Sequence, residues 1–198
     1  MTLQTNLYLI ITLFGSASYL VGLWRMLTNQ YSPSTFSRVV WVLLAINSFA
    51  GVILSHSSST SILLGAILLI GNIAICIASL WKGSKEIGQL EYICIALLII
   101  SAFVWIFFKA PLVNLALSLF GHFVGACPTY KKVLYNPESE DLACWLLFFI
   151  ASILSIFACN FVSLADIMLP LYYTLFDGSI VLLILRKKIA FIFLKIAD

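Results

Sequence analysis

The chain has 198 residues, 63% of them hydrophobic and only 10% charged, with a mean hydropathy of +1.11. A soluble domain is roughly half apolar and one quarter charged, so this composition excludes an ordinary water-soluble fold and reads as an integral membrane protein whose partner is the lipid bilayer. The net charge of +3 gives no case for nucleic acid, because in a membrane chain the placement of Lys and Arg matters more than their sum.

A hydrocarbon core of about 30 Å takes about 20 apolar residues per helix, and backbone polar groups in lipid must bond within their own segment. Seven runs meet that requirement: residues 6–24, 39–55, 61–81, 92–108, 111–130, 142–160 and 166–185. The first begins in MTLQTNLYLI, which lacks the basic start of a cleavable leader, and is expected to stay as a helix. The longer connectors are 25–38, 82–91 and 131–141. With the N-terminus outside, Arg25, Arg38, Lys82, Lys85, Lys131, Lys132, Arg186, Lys187, Lys188 and Lys195 are all cytoplasmic and only Lys109 is not. An odd number of spans then puts the C-terminus inside, where the tail 189–198 is expected to run along the interface as an amphipathic extension. The compact loops favour a bacterial inner membrane, with an organelle membrane as the alternative.

Shifting the first half by 104 residues aligns Tyr31 with Tyr135, Pro33 with Pro137, Trp41 with Trp145, Leu43 with Leu147, Ile46 with Ile150 and Ser48 with Ser152. Helix then falls on helix and loop on loop, the pattern of an internal repeat. Three helices repeat in the same orientation only with one extra crossing, which run 92–108 supplies. The expected fold is all-α, with seven transmembrane helices in a three-plus-one-plus-three order. Its parts are a first triple-helix bundle (1–81), a linker helix with its connectors (82–110), a second triple-helix bundle (111–185) and a cytoplasmic basic tail (186–198).

These residues resemble the PQ-loop and SWEET transporter superfamily. Gly125 and Pro128-Thr129 stand like the small residue and Pro-Gln at the cytoplasmic end of a repeat's first helix, and Lys131-Lys132, Pro137–Ser139 and Trp145 follow in the expected positions. The first half keeps Ser32-Pro33-Ser34 and Trp41, with Trp24-Arg25 where Pro-Gln would stand. The resemblance implies alternating access through a central cavity between two triple-helix bundles. It also implies that an asparagine on the third helix of each repeat contacts substrate; here Asn72 and Asp177 occupy those places. Plant-type members carry prolines in the second helix of each repeat, and neither the second nor the sixth run has one.

Ionisable groups inside a span cost about 2.5 to 3.5 kcal/mol on insertion scales and tend to face a cavity or a partner. Two lie deep, His122 and Asp177. At 1.5 Å per residue both sit roughly 16 Å from the outer ends of their helices, near the midplane. Asn72, Ser18 and, close by, Asn47 share that depth, and the repeat pairs Ser18 with His122. The functional reading is that Asp177, alone or paired with His122, neutralises a cationic solute or binds a proton coupled to solute movement. The plain reading is hydrogen bonding between neighbouring helices, and Asn72 and Asn47 divide the same way. Pro128 lacks a backbone donor and is the candidate hinge. Trp41 and Trp145 stand as gates or as interfacial anchors, Tyr173 as an outer gate or part of an aromatic belt.

The five cysteines show no CxxC spacing and read as small buried hydrophobes, not a metal or disulfide set. No HExxH, phosphate loop or catalytic triad context is present, so no catalytic residue, cofactor or metal is expected. Two functions stay open at this level. One is a transporter of a small polar solute such as a sugar, amino acid or related metabolite, with proton coupling an open variant. The other is a non-transporting receptor or assembly factor on the same fold. Either is compatible with a homo-oligomer.

Overall fold

The computed structural model describes residues 3–30, 33–83, 85, 89–159 and 163–197, with residues 90, 91 and 187–197 described as backbone only. Tyr31 and Ser32 of the first loop motif, residues 160–162 after the sixth run, and the side chains of Lys187, Lys188 and Lys195 lie outside this description. Within it the chain is all-helical: α1 Leu3–Leu27, α2 Thr35–Leu54, α3 Ser59–Lys82, α4 Gln89–Phe108, α5 Pro111–Tyr135, a 3-10 turn Pro137–Ser139, α6 Leu142–Ala158 and α7 Leu164–Ala197. Five helices are long and apolar enough to cross a membrane: α1, α2, α3, α5 and Leu164–Arg186 of α7. The apolar stretches Tyr92–Phe108 and Leu142–Ala158 are shorter.

The helix starts follow from local chemistry. Ser34 Oγ accepts from the Ser37 amide at 3.3 Å, Ser58 Oγ from Ser61 at 3.4 Å, and Asp141 Oδ1 from Cys144 at 2.8 Å, each satisfying a donor the helix leaves free. Pro111 opens α5, where a missing N–H has no consequence. Two boundaries depart from expectation: α7 continues as one helix to Ala197, past the expected end of the seventh run at 185, and α5 overruns its expected end. The fifth run was expected to end at Tyr130, whereas α5 continues to Tyr135 and carries Lys131 and Lys132 on helix. No breaker occurs between Tyr130 and Asn136-Pro137, where the Asn136 side chain accepts from the Glu138 amide at 3.2 Å and turns the chain.

The packing has a paired pattern. Helix α3 lies against both α1 and α2, and α7 against both α5 and α6, while α1 packs on α6 and α2 on α5. Helix α4 lies against α5 and α2. The connectivity places the C-terminal ends of α1, α3, α5 and α7 at one end with the N-terminal ends of α2, α4 and α6. That end holds most of the cations and is called the basic end below. There Arg25 pairs with Asp141, Lys82 Nζ donates to Asn29 Oδ1 at 2.9 Å, and Arg186 donates to the Leu134 carbonyl.

The opposite end is held by hydrogen bonds between the α2–α3 and α6–α7 turns. Ser57 Oγ donates to the Ala165 carbonyl at 3.1 Å, the Ser58 amide to Asp166 Oδ1 at 2.5 Å and Thr60 Oγ1 to the Ala158 carbonyl at 3.0 Å. Ser61 Oγ donates to the Asp166 carbonyl, and Ser58 Oγ lies 3.0 Å from Cys159 Sγ. Asp166, in the first turn of α7, thus joins that helix to the first half of the chain.

Gly71 permits the closest approach of α1 to α3. A Cβ there would lie 2.2 Å from the Tyr19 ring, which occupies the space a side chain would need. At Gly22 the nearest atom to an added Cβ is 3.5 Å away, an ordinary contact. Gly71→Ala is therefore expected to lower stability in detergent by about 1–3 kcal/mol. Gly22→Ala is expected to stay within about 0.5 kcal/mol. Thermal unfolding of the two variants side by side checks the pair.

Candidate functional site: a central cavity between the two halves

Helices α1, α3, α6 and α7, with α2 and α5 across from them, enclose a cavity of about 140 Å³. Its deep wall carries Ser18, Asn72, His122 and Asp177. Toward the basic end the lining continues through Arg25, Arg38, Glu140 and Asp141. Trp41, Trp145 and Tyr173 also border it.

Asp177 is the least reconciled group in this wall. Its residue is 3% exposed, and Oδ2 has no hydrogen-bond partner among the described residues. Buried polar atoms in folded proteins are nearly always paired, so an unpaired carboxylate oxygen on a residue that lines a cavity asks for a function. Asn72 is also buried. Its Nδ2 donates to Tyr19 Oη at 3.1 Å and to the Leu68 carbonyl one turn back at 2.9 Å. With both hydrogens engaged, its carbonyl oxygen is the atom without a bond among the described residues.

His122 does not join Asp177: among the described residues no hydrogen bond or ion pair links them. Instead its Nδ1 lies 2.9 Å from Tyr172 Oη. Its ring packs among Trp41 (centroids 4.6 Å apart), Phe176 (4.9 Å) and Tyr173 (5.3 Å). The imidazole is thus one member of an aromatic wall. That wall continues through Tyr173–Phe148 and Phe148–Tyr19, both 5.7 Å, and Phe176–Trp145 at 5.9 Å, mostly edge to face.

Ser18 lines the cavity, but its hydroxyl donates to the Cys144 carbonyl at 2.8 Å while Cys144 Sγ donates back to the Ser18 carbonyl at 3.3 Å. The exchange fastens α1 to α6. Trp145 Nε1 donates to Glu140 Oε2 at 3.3 Å, and Glu140 also holds Lys132 at 3.1 Å. The Arg38 guanidinium sits 4.9 Å over the Trp41 ring. Both tryptophans are therefore fixed by charged neighbours on the basic side.

Two residues singled out in the sequence lie elsewhere. Asn47 belongs to a buried network in which its Nδ2 approaches Ser101 Oγ (2.6 Å), Ser118 Oγ (2.6 Å) and Asn114 Oδ1 (3.0 Å). That network joins α2, α4 and α5 away from the cavity. Pro128 is exposed, and α5 runs through it unbroken. The cavity also includes residues that sequence reasoning passed over: Tyr19, Phe176, Arg25 and Arg38. Tyr19, adjacent to Ser18, and Arg38, three residues before Trp41, carried the only signals available.

No protein-family model matches the chain, and neither a curated protein nor a solved structure matches it.

The two polar groups of the midplane layer predict opposite stability effects. Asp177→Leu removes an orphaned acceptor and is expected to leave the unfolding midpoint unchanged or raise stability by about 1 kcal/mol. Asn47→Ala breaks a satisfied interhelical network and is expected to cost about 1 kcal/mol. Thermal melts of the purified variants in one detergent read both signs.

Proposed function

We propose that the chain is a membrane transporter that moves a small polar solute by alternating access, and that it resembles the PQ-loop and SWEET superfamily in architecture. The observation that carries this reading is that Asp177, a carboxylate with one oxygen unpartnered, lines a cavity bordered by helices of both halves. A bundle held together for structure alone would fill that space with apolar side chains or pair the acid.

Three further features support it. Each outer pair of helices in a half is bridged by a third, α3 between α1 and α2 and α7 between α5 and α6, which suits two triple-helix bundles with α4 as the linker. The cavity's polar lining runs toward the basic end while the other end is closed by the Ser58–Asp166 contacts, as an access path open to one side requires. The positive-inside rule makes the basic end cytoplasmic, with the N-terminus outside; the compact loops favour a bacterial inner membrane, with an organelle membrane as the alternative. In this reading Asp177 and Asn72 meet the solute, the aromatic wall excludes water around it, and Trp41 and Trp145 border the cytoplasmic way in. No catalytic step is assigned to any of them.

Reconstitution into proteoliposomes with a mixed panel of sugars, amino acids and amines tests the reading. Flux of at least one solute is expected, reduced about ten-fold or more by Asp177→Asn or Asn72→Ala, since either removes a desolvated contact of about 1.4 kcal/mol or larger. Binding of a panel solute without flux would instead support a receptor.

A further inference from the structure

We infer that the solute is a compact organic cation, its ammonium group lodged between the Asp177 carboxylate and the aromatic wall of the central cavity. This rests on the transport reading for its direction of travel but not for its site.

The chemistry follows from three properties of the cavity. First, its lining contains two cationic side chains, Arg25 and Arg38, and three anionic ones, Glu140, Asp141 and Asp177. Arg25 is paired with Asp141, Lys132 approaches Glu140, and Arg38 lies over Trp41. The charges near the mouth are thus engaged with one another, and the deep one, Asp177, keeps a bare oxygen. A buried carboxylate is stable when a counter-charge accompanies it, and a cationic solute brings that charge with it.

Second, the rings around this depth, Tyr173, Phe176, Trp41 and Phe148 among them, border the same cavity. Aromatic faces attract ammonium groups, most strongly when both are out of water. A sugar would need several hydrogen-bonding partners around its ring. Here the Ser18 hydroxyl and the Asn72 amide hydrogens are already committed to protein acceptors, so neither of these donors is free for a polyol. The deep wall also offers acceptors, the Asp177 carboxylate and the Asn72 carbonyl oxygen, which match a cation.

Third, the space is small. A cavity of about 140 Å³ is close to the size that takes a benzene molecule, roughly 150 Å³. That admits a solute of about the size of choline. No group of three or more His, Cys, Asp or Glu side chains among the described residues is placed to hold a metal ion, so the donor set suits an organic cation better than a metal.

Full-length protein in detergent, titrated with choline, ethanolamine, glucose and choline's neutral carbon isostere dimethylbutanol, tests the inference by thermal shift. One of the two ammonium compounds is expected to stabilise wild type, with the isostere and glucose weaker by about ten-fold or more. Asp177→Asn is expected to abolish the shift, Asp177→Glu to keep part of it, and Phe176→Leu to weaken it. Gel filtration establishes that each variant is folded. A shift that persists in a folded Asp177→Asn overturns the inference, as does equal stabilisation by the isostere, or glucose binding with neither ammonium active. Parallel flux in proteoliposomes separates the two ideas. Ammonium binding that depends on Asp177 without any flux sustains the cation site and removes the transport reading. Flux of a neutral solute that neither ammonium inhibits does the reverse.

Discussion

An acid buried inside a helical bundle with one oxygen left unpaired works against the stability of that bundle, and the arrangement around Asp177 makes sense mainly as an accommodation of it. The cost of burying a carboxylate is met elsewhere in proteins by a nearby cation or a ring of amide donors. Here the nearest imidazole is turned to Tyr172, and the cations among the lining residues are engaged on the basic side. Asp177 is left without an ion-pair partner among the described residues. Its helices are otherwise tightly joined: α1 to α6 through the Ser18–Cys144 exchange, α2 to α4 and α5 through Asn47. Asp177 lies where helices of both halves line one cavity.

The ends of that meeting surface differ in kind. At the basic end the contacts are ion pairs and long side chains, Arg25 with Asp141 and Lys132 with Glu140, which exchange with water at little cost. At the other end short hydroxyls and the Asp166 carboxylate bind backbone groups of the opposite turn over a small buried area. These bonds form or break together because they all join the same two turns. A bundle with one loosely charged end and one cooperatively bonded end has the components of a two-state element, the physical requirement for alternating access.

The helices were legible in the sequence because run length and the need to satisfy the backbone in lipid leave few alternatives. Counting residues from the helix ends gathers Ser18, Asn72, His122 and Asp177, and all four border one cavity. Rotation about each helix axis was not legible. Asn47 lies at the same depth but on the side of α2 facing α4 and α5, which only packing decides. A partnership of His122 with Asp177 looked attractive from sequence because both are ionisable, yet the imidazole's neighbours are rings contributed mostly by α7 and α2. The end of α5 was misjudged because a lysine pair was read as loop, although lysine is a good helix former and the chain turns only at Asn136.

The central claim is that the bonded end must open for the cavity to work, and one cross-link addresses it directly. Ser58 Oγ lies 3.0 Å from Cys159 Sγ, so Ser58→Cys places two thiols across the two halves at a separation compatible with a disulfide. Flux in proteoliposomes would be measured after oxidation and again after reduction, with Ser58→Cys in a Cys159→Ser background as control. Alternating access predicts that oxidation stops flux, that reduction restores it, and that the control is indifferent to both. Undiminished flux through the cross-linked protein would contradict the account.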